Sequence, residues 1–166
     1  MNILIKMKKI FHVLIVCYGN TARSPVGEYL GNYYAKKYEV DIKFESCGFI
    51  NAFSYIQPES RKYLDLKDIN YSNFVPQIIN GNLLEKQDLI LTMEQSHSFK
   101  IKGNFSKIKD IDNKTFTLKE FNGDHSNLDI IDPYYESNDT YIKVLKIIDK
   151  HMEKAIKKII EINNSI

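Results

Sequence analysis

One stretch near the N-terminus constrains the fold most, because a buried strand, a short loop and a helix start follow one another directly. Ile10–Val16 reads IFHVLIV, a nearly continuous apolar run of the kind that parallel sheets bury on both faces. Cys17–Arg23 is predicted to be loop, and Ser24 and Pro25 predict a helix start, with serine as N-cap and proline at the first helical position. The helix is expected to extend to about Lys37. A strand that leads into a helix in this way is typical of a βαβ unit.

The rest of the chain continues this alternation of strand-like and helix-like segments, which predicts an α/β fold with a parallel sheet. The further predicted strands are Val40–Ser46, Asp88–Thr92 and, in a region of weaker signal, Lys107–Ile111. The further predicted helices are Glu59–Leu66, a stretch from about Glu94 to Lys100, and the amphipathic Asp139–Ile162. No repeat or linker interrupts the pattern, and 166 residues is an ordinary length for one domain. We therefore expect a single domain over residues 1–166, with residues 1–8 as an N-terminal extension.

Composition and charge exclude several classes of protein. Apolar residues make up 43% of the chain and aromatic residues 12%, which is too much for a disordered protein. The formal net charge is only +2, so no strongly basic surface for nucleic acid is expected. No apolar run approaches the roughly 20 residues of a membrane span. Lys6, Lys8 and Lys9 divide the apolar N-terminus and no cleavage site follows, so the predicted location is a reducing cytoplasm without a signal peptide.

The loop Cys17–Arg23, called the phosphate loop below, combines groups that can bind a phosphate and attack it. Backbone N–H groups of a short strand-to-helix loop can turn inward around an anion, and the helix N-terminus adds partial positive charge. Arg23, one of only two arginines, can donate two parallel hydrogen bonds to phosphate oxygens. Gly19, and secondarily Asn20, suits the positive φ that such a tight loop needs. The same surroundings favour the thiolate of Cys17, the form that acts as a nucleophile.

Two interpretations of this loop stay open from spacing alone. Ser24 can donate its hydroxyl to the sulfur of Cys17, or it can cap the helix. The Cys-x5-Arg match also has a plain alternative, in which a strand-end cysteine is buried in the core and an arginine lies on the surface. The strand–loop–helix context favours a phosphate site over that alternative.

A proton donor for a leaving alkoxide or phenoxide is predicted in residues 128–136, which read LDIIDPYYE. Asp132 precedes a proline, which keeps its backbone out of the helical region and predicts an extended loop. Tyr134 and Tyr135 can form an aromatic wall beside it. The alternative for Asp132 is a plain turn, in which Asp-Pro pairs are common.

Together these two stretches resemble the low-molecular-weight protein tyrosine phosphatases. The run from Cys17 to Pro25, CYGNTARSP, is similar to the phosphate loop of that family, and the DPYY run that begins at Asp132 is similar to its acid loop. Weaker similarities lie at Ser46-Cys-Gly and Asp88-Leu-Ile-Leu-Thr-Met, and the pieces span about residues 10–160. The resemblance implies a single-domain, four-stranded parallel sheet with helices on both faces. It also implies hydrolysis of phosphotyrosine in proteins through a cysteinyl-phosphate intermediate.

The resemblance assigns the chemistry to three residues. Cys17 is expected to attack the phosphorus while Arg23 and the loop amides hold the transferring oxygens. Asp132 is expected to protonate the leaving group and then to activate water. No metal or cofactor is expected, because Arg23 and the amides supply the positive field.

The resemblance also assigns supporting roles. Asn20 is expected to order the loop with help from Ser46, and Ser24 to stabilise the thiolate. The expected substrate-binding residues are Tyr18, Gly19, Asn20, Thr21, Ala22, Ser24, Ser46, Tyr134 and Tyr135. The expected partner is a tyrosine-phosphorylated protein, such as a bacterial tyrosine kinase or its target.

Three features depart from the family's pattern. Ala22 stands where many members have a second cysteine, so their protective disulfide is not expected. A bridge from Cys17 to Cys47 is conceivable, although a small buried core thiol is the simpler interpretation of Cys47. Tyr18 replaces the usual aliphatic residue after the nucleophile and predicts an aromatic lip. No tryptophan follows the second predicted strand, so the facing wall is expected from Phe49, Phe53 or Tyr55.

Two other functions compete with phosphotyrosine hydrolysis. An arsenate reductase on the same fold also uses a phosphate-loop cysteine, but it needs resolving thiols, and the chain offers only Cys47. A phosphotyrosine-binding module that is catalytically silent would keep the loop and lose the turnover. Because every residue expected to perform the chemistry is present, hydrolysis is the favoured prediction.

Overall fold

The computed structural model describes residues 8–166, with four strands and seven helices in that range. The strands are β1 (His12–Val16), β2 (Lys43–Cys47), β3 (Leu89–Thr92) and β4 (Thr115–Thr117). The helices are α1 (Ser24–Lys37), α2 (Pro58–Asp65), α3 (Gly81–Glu85), α4 (Gln95–Asn104), α5 (Ile111–Lys114), α6 (Leu118–Phe121) and α7 (Asn138–Asn164). Residues 1–7, which hold nearly all of the predicted N-terminal extension, lie outside the described residues.

The strands form one parallel sheet in the order β2-β1-β3-β4, which places β1 in its interior. At the end of β1, Val16 lies beside Cys47 of β2 and beside Thr92 of β3. The carboxyl ends of three strands therefore meet at one edge of the sheet. In open α/β sheets this edge is where ligands bind, and here it gathers the segments that follow β1, β2 and β3.

Helices cover both faces of the sheet, as predicted. Val13 and Ile15 of β1 belong to the larger apolar cluster, which contains buried residues of α1, α2 and α7. Leu14 and Val16, which alternate with them along the strand, pack with residues of α3, α4 and α5 on the other face. The expectation of a four-stranded parallel sheet in a single domain with helices on both faces is confirmed. Within residues 8–166, none of the helices is both long and apolar enough to cross a membrane.

The predicted strand at Lys107–Ile111 is wrong. Its two apolar residues, Ile108 and Ile111, are three positions apart and pack against the same cluster, as in a helical turn. The fourth strand is Thr115–Thr117, whose three side chains are all buried. Its sequence TFT is too short to show a period and reads as polar, so the hydrophobic pattern does not reveal it.

Candidate active site

The phosphate loop joins the end of β1 to the start of α1 and surrounds a cavity of about 340 Å³. Cys17 lines this cavity and is almost fully buried. The lining residues are Cys17, Tyr18, Gly19, Thr21, Ala22, Arg23, Ile50, Ala52, Phe53, Asp132, Tyr134 and Tyr135. The structure thus brings the predicted cysteine, arginine and aspartate to one cavity, although about 110 residues separate the aspartate from the other two along the chain.

Hydrogen bonds behind the cavity connect two serine hydroxyls to Asn20 and one of them to the cysteine sulfur. The side-chain amide of Asn20 donates one hydrogen to Ser24 Oγ and the other to Ser46 Oγ, each at 2.9 Å. Ser24 Oγ therefore accepts from Asn20, and its own hydrogen is left for Cys17 Sγ at 2.9 Å or for the carbonyl oxygen of Cys47 at 3.4 Å, of which the sulfur is the nearer. A hydroxyl that donates to sulfur stabilises the thiolate.

The structure also resolves the two open roles of Ser24. The N-cap position of α1 is Arg23, and no side-chain hydrogen bond caps the helix. Ser24 lies inside the first turn and its hydroxyl faces the cysteine. The predicted contact with the sulfur is therefore present, and the predicted capping role is wrong.

Asn20 holds the sharp turn of the loop. Its φ is 53°, in the left-handed region, whereas the loop's Gly19 is outside that region, contrary to the stronger prediction for glycine. The Asn20 Oδ1 atom accepts a hydrogen bond from the backbone N–H of Gln77 at 2.9 Å, and the Gln77 side chain donates to the carbonyl of Ser46. The amide side chain thus offsets the strained backbone by bonding on both of its ends.

Gly48, at the end of β2, allows the loop to lie directly against the sheet. A Cβ atom at this position would lie 2.8 Å from the backbone nitrogen of Asn20 and 2.8 Å from the carbonyl oxygen of Tyr18. Backbone atoms this close leave room only for glycine.

Arg23 is 2% exposed and is held by two partners that lie far along the chain. Its Nη1 donates to Glu94 Oε1 at 2.5 Å and to the backbone carbonyl of Ile130 at 2.7 Å. Its Nη2 lies 3.8 Å from Asp132 Oδ2, across the cavity. A buried guanidinium held on one side can present the other side to an anion without reorganising.

Glu94 is a functional candidate that the sequence reasoning missed. Glu94 lies two residues after the end of β3, at the same sheet edge where the phosphate loop follows β1. An acidic residue just after that predicted strand was the feature of the sequence that could have indicated a partner for Arg23. His97 lies 3.9 Å from the second oxygen of Glu94. Burial lowers the pKa of His97 to about 4, so the imidazole is neutral and leaves Arg23 as the cation that Glu94 pairs with.

The acid loop, residues 131–136, lies across the cavity from the phosphate loop. The carboxyl group of Asp132 accepts a hydrogen bond from the Tyr134 N–H at 3.1 Å, and its side chain is 49% exposed. The ring centroid of Tyr134 lies 5.8 Å from that of Phe53 and 4.6 Å from that of Tyr135. Phe53 therefore forms the facing wall, while the side chain of Phe49 packs against His97 behind the loop.

Comparison with known proteins agrees with this geometry. Residues 12–164 match the family model described as low molecular weight phosphotyrosine protein phosphatase. The chain belongs to this family.

Relatives of this low-molecular-weight phosphatase differ in the substrate that their names state. A protein-arginine-phosphatase of Bacillus subtilis is 32% identical over 151 residues, covering 88% of this chain and 97% of that protein. A low molecular weight protein-tyrosine-phosphatase of Staphylococcus aureus is 32% identical over 133 residues, covering 78% and 86%. Both names denote protein phosphatases, so phosphorylated proteins are the substrates that the family implies.

Solved structures show the same division. The low molecular weight protein tyrosine phosphatase from T. tengcongensis has a TM-score of 0.79 and 29% identity, over 89% of this chain and 99% of that one. A cysteine-to-serine variant of an arginine phosphatase has a TM-score of 0.79 and 29% identity, over 89% and 95%, and carries a phosphorylated active-site serine.

The predicted substrate-binding residues of this phosphatase divide into two groups. Those that line the cavity are Tyr18, Gly19, Thr21, Ala22, Tyr134 and Tyr135. Those that lie behind the loop and hold it are Asn20, Ser24 and Ser46. The second group supports the loop and does not line the cavity.

Cys47 has no part in the cavity. Both cysteines are free thiols in the structure. Cys47 packs in the apolar cluster on the sheet face covered by α3, α4 and α5, whereas Cys17 belongs to the cluster on the opposite face. Burial raises the pKa of the Cys47 thiol, which keeps it protonated. The structure therefore agrees with a small buried core thiol and contains no bridge to Cys17.

Proposed function

We propose that this protein hydrolyses phosphotyrosine in proteins through a cysteinyl-phosphate intermediate, without a metal. The observation that carries the proposal is the hydrogen-bonded chain from Asn20 through Ser24 to the buried sulfur of Cys17, beside the buried guanidinium of Arg23. A nucleophilic sulfur and a fixed cation at one cavity are what phosphoryl transfer to cysteine requires.

In the first step the phosphate lies in the loop, with its oxygens against the backbone amides and Arg23. The Cys17 thiolate attacks the phosphorus, a P–S bond forms, and the P–O bond to the tyrosine breaks. Asp132, the half-exposed carboxyl group across the cavity, donates its proton to the leaving phenolate oxygen.

In the second step water replaces the departed tyrosine. Asp132, now a carboxylate, takes a proton from this water while the water oxygen attacks the phosphorus. The P–S bond breaks, inorganic phosphate leaves, and Cys17 returns to the thiolate that Ser24 stabilises. Arg23 holds the negative oxygens through both transition states, so the residues themselves supply the positive charge.

The decisive experiment measures release of p-nitrophenol from p-nitrophenyl phosphate, with EDTA present, from about pH 4 to about pH 9. The wild type is expected to turn over, and Cys17→Ser to lose at least about 10⁴-fold in kcat while keeping its affinity for inorganic phosphate. Correctly folded, reduced wild type without turnover would contradict the proposal and would favour a silent binding module.

Phosphoarginine is a second candidate substrate, because the Bacillus subtilis relative named protein-arginine-phosphatase aligns with 88% of this chain. The same two steps apply, with a P–N bond breaking in place of the P–O bond. Two peptides that differ only in phosphotyrosine or phosphoarginine separate the candidates. A higher kcat/KM for the phosphotyrosine peptide supports the proposal, and a higher value for the phosphoarginine peptide overturns it.

An arsenate reductase has less support. Such an enzyme needs a second thiol that reaches the active-site cysteine. The second cysteine of this chain, Cys47, packs on the opposite face of the sheet from Cys17. We further propose a reducing, cytoplasmic location, since Cys17 must stay a free thiol, and a tyrosine kinase or its target as the phosphorylated partner.

A further inference from the structure

A lysine on the helix that follows β3 lies next to Tyr18, one of the residues that line the cavity. The Nζ atom of Lys100, in the middle of α4, is 5.7 Å from the ring centroid of Tyr18 and 5.5 Å from that of Phe49. Both distances are within cation–π range, so the two rings hold the ammonium group in one place. Tyr18 directly follows Cys17 in the chain and lines the cavity.

The charge of Lys100 is available to a ligand. The side chain is exposed, and none of the ion pairs among residues 8–166 includes it. The two rings lie beside its ammonium group. His97 is also close by, and the charge of Lys100 adds to the effect of burial in lowering the pKa of that imidazole. The acid loop carries the opposite charge, since the carboxyl groups of Asp132 and Glu136 are exposed there.

A protein substrate lays the residues on either side of the phosphorylated one over the surface around the cavity, of which Tyr18 is part. When its phosphorylated side chain enters the cavity, the neighbouring residues lie over the rim, spaced at about 3.3 to 3.6 Å along an extended chain. A residue one to three positions from the phosphorylated one can therefore reach the ammonium group beside Tyr18. An acidic side chain there gains an ion pair, and a basic one is repelled.

We propose that Lys100 is a specificity-determining residue that selects substrates with an aspartate or glutamate close to the phosphorylated residue. This proposal rests on the proposed function, in that a phosphorylated peptide must occupy the cavity. It concerns the residues beside the phosphorylated one, and it holds for phosphotyrosine and phosphoarginine alike.

The test measures binding, so that it does not depend on turnover. Two fluorescent phosphotyrosine peptides are used, one with acidic residues on both sides of the phosphotyrosine and one with serines. Their Kd values are measured by anisotropy at low salt in the Cys17→Ser background, with and without Lys100→Glu. Lys154→Glu is the matched control. Lys154 is exposed on the C-terminal half of α7, and replacing it by glutamate changes the net charge by the same amount.

The acidic peptide is expected to bind about 3- to 10-fold more tightly than the serine peptide, and Lys100→Glu to abolish or reverse this preference. Lys154→Glu is expected to keep it, and added salt to reduce it. A wild-type surface without the preference, or a preference that survives Lys100→Glu, overturns the proposal. An equal loss of affinity for both peptides also overturns it, because it would mean that Lys100 only supports Tyr18.

A parallel turnover assay separates this proposal from the proposed function. An acidic preference in binding, together with no hydrolysis of either peptide by the protein with Cys17 intact, would contradict phosphotyrosine hydrolysis and support the role of Lys100. Hydrolysis of both peptides without a preference would contradict only the role of Lys100.

Discussion

The two loops that meet at the cavity are built in opposite ways. In the phosphate loop Asn20 and Arg23 are buried, as is Ser24 directly after it, and each of the three makes at least two side-chain hydrogen bonds. In the acid loop Asp132 is half-exposed and accepts one hydrogen bond, from the backbone of Tyr134, and Tyr135 is 94% exposed.

The difference in burial and hydrogen bonding matches the proposed chemical role of each loop. Stabilising the charge of a transferring phosphoryl group requires donors that are already in position, because reorganising them during the reaction would cost the free energy that they supply. A proton donor must instead meet a variable leaving group and then a water molecule, so it belongs at an exposed edge. We therefore expect substitutions in the acid loop to change activity alone, and substitutions around the phosphate loop to change activity and stability together.

Replacing the carboxyl group of Asp132 should have the largest effect on activity. Asp132→Ala is expected to lower kcat for a phosphotyrosine peptide about 10²- to 10⁴-fold, because the phenolate must then leave without a proton. The loss should be smaller for p-nitrophenyl phosphate, whose leaving group needs less help. Affinity for inorganic phosphate should stay the same or rise, because the Asp132 carboxyl group lies 3.8 Å from Arg23 Nη2, where it competes with an anion. The thermal midpoint should change little, since the side chain is half-exposed and accepts a single hydrogen bond.

The matched control for this prediction is Glu136→Ala, which removes an exposed carboxyl group from the same loop. Its kcat for the phosphotyrosine peptide should stay close to wild type. If Asp132→Ala turns over that peptide at the wild-type rate, another group is the acid.

Filling the space behind the phosphate loop should lower activity and stability together. In Gly48→Ala the new Cβ would lie 2.8 Å from loop backbone atoms, so the loop must shift. We expect a loss of about 1 to 3 kcal/mol in the free energy of unfolding, measured by urea denaturation, and a fall of about tenfold or more in kcat.

Gly103→Ala, on α4, is the control for this substitution, because a Cβ atom there has no heavy atom within 4 Å. It is expected to keep wild-type kcat and to leave stability unchanged or slightly higher. A Gly48→Ala protein as stable and active as Gly103→Ala would show that the phosphate loop tolerates displacement. It would contradict the expectation that substitutions around this loop change activity and stability together.

The smallest expected effect on activity comes from a carboxyl group behind the phosphate loop, whose removal should act on stability. Ser46 Oγ donates to Glu28 Oε2 at 3.2 Å. Burial raises the pKa of Glu28 from 4.5 to about 7, although this hydrogen bond opposes the shift. Between these two pH values the folded protein holds a proton that the unfolded chain has lost, so stability falls as pH rises from about 4.5 to about 7.

Glu28→Gln cannot ionise, and it should remove this decline. The variant is expected to gain about 2 to 3 kcal/mol relative to wild type between pH 5 and pH 8, measured by urea denaturation at each pH. Glu45→Gln serves as the control: burial would raise the pKa of Glu45, but hydrogen bonds from Gln87 and Lys86 lower it, so its removal should not flatten the curve. Parallel curves for Glu28→Gln and wild type would contradict the prediction.

Much of the site was predictable, because its parts are local in the chain. The buried strand before Cys17, the helix start at Pro25 and the Asp-Pro pair at Asp132 each depend on neighbouring residues. The helix near the C-terminus, predicted at Asp139–Ile162 and observed at Asn138–Asn164, has an apolar stripe long enough to show its period. The short β4 lacks such a period, which is why its position was predicted incorrectly.

The sequence by itself determined the α/β fold class and the phosphate loop, since these follow from short-range patterns of apolar, glycine and proline residues. The roles expected of Cys17, Arg23 and Asp132 came from the resemblance to a known family. Only the tertiary structure decided how these residues are held. Glu94 reaches Arg23 from 71 positions away, and Gln77 reaches Asn20 from 57. Such partners meet because parallel strands bring their carboxyl ends to one edge of a sheet, and no local pattern records which side chains then come within hydrogen-bond distance.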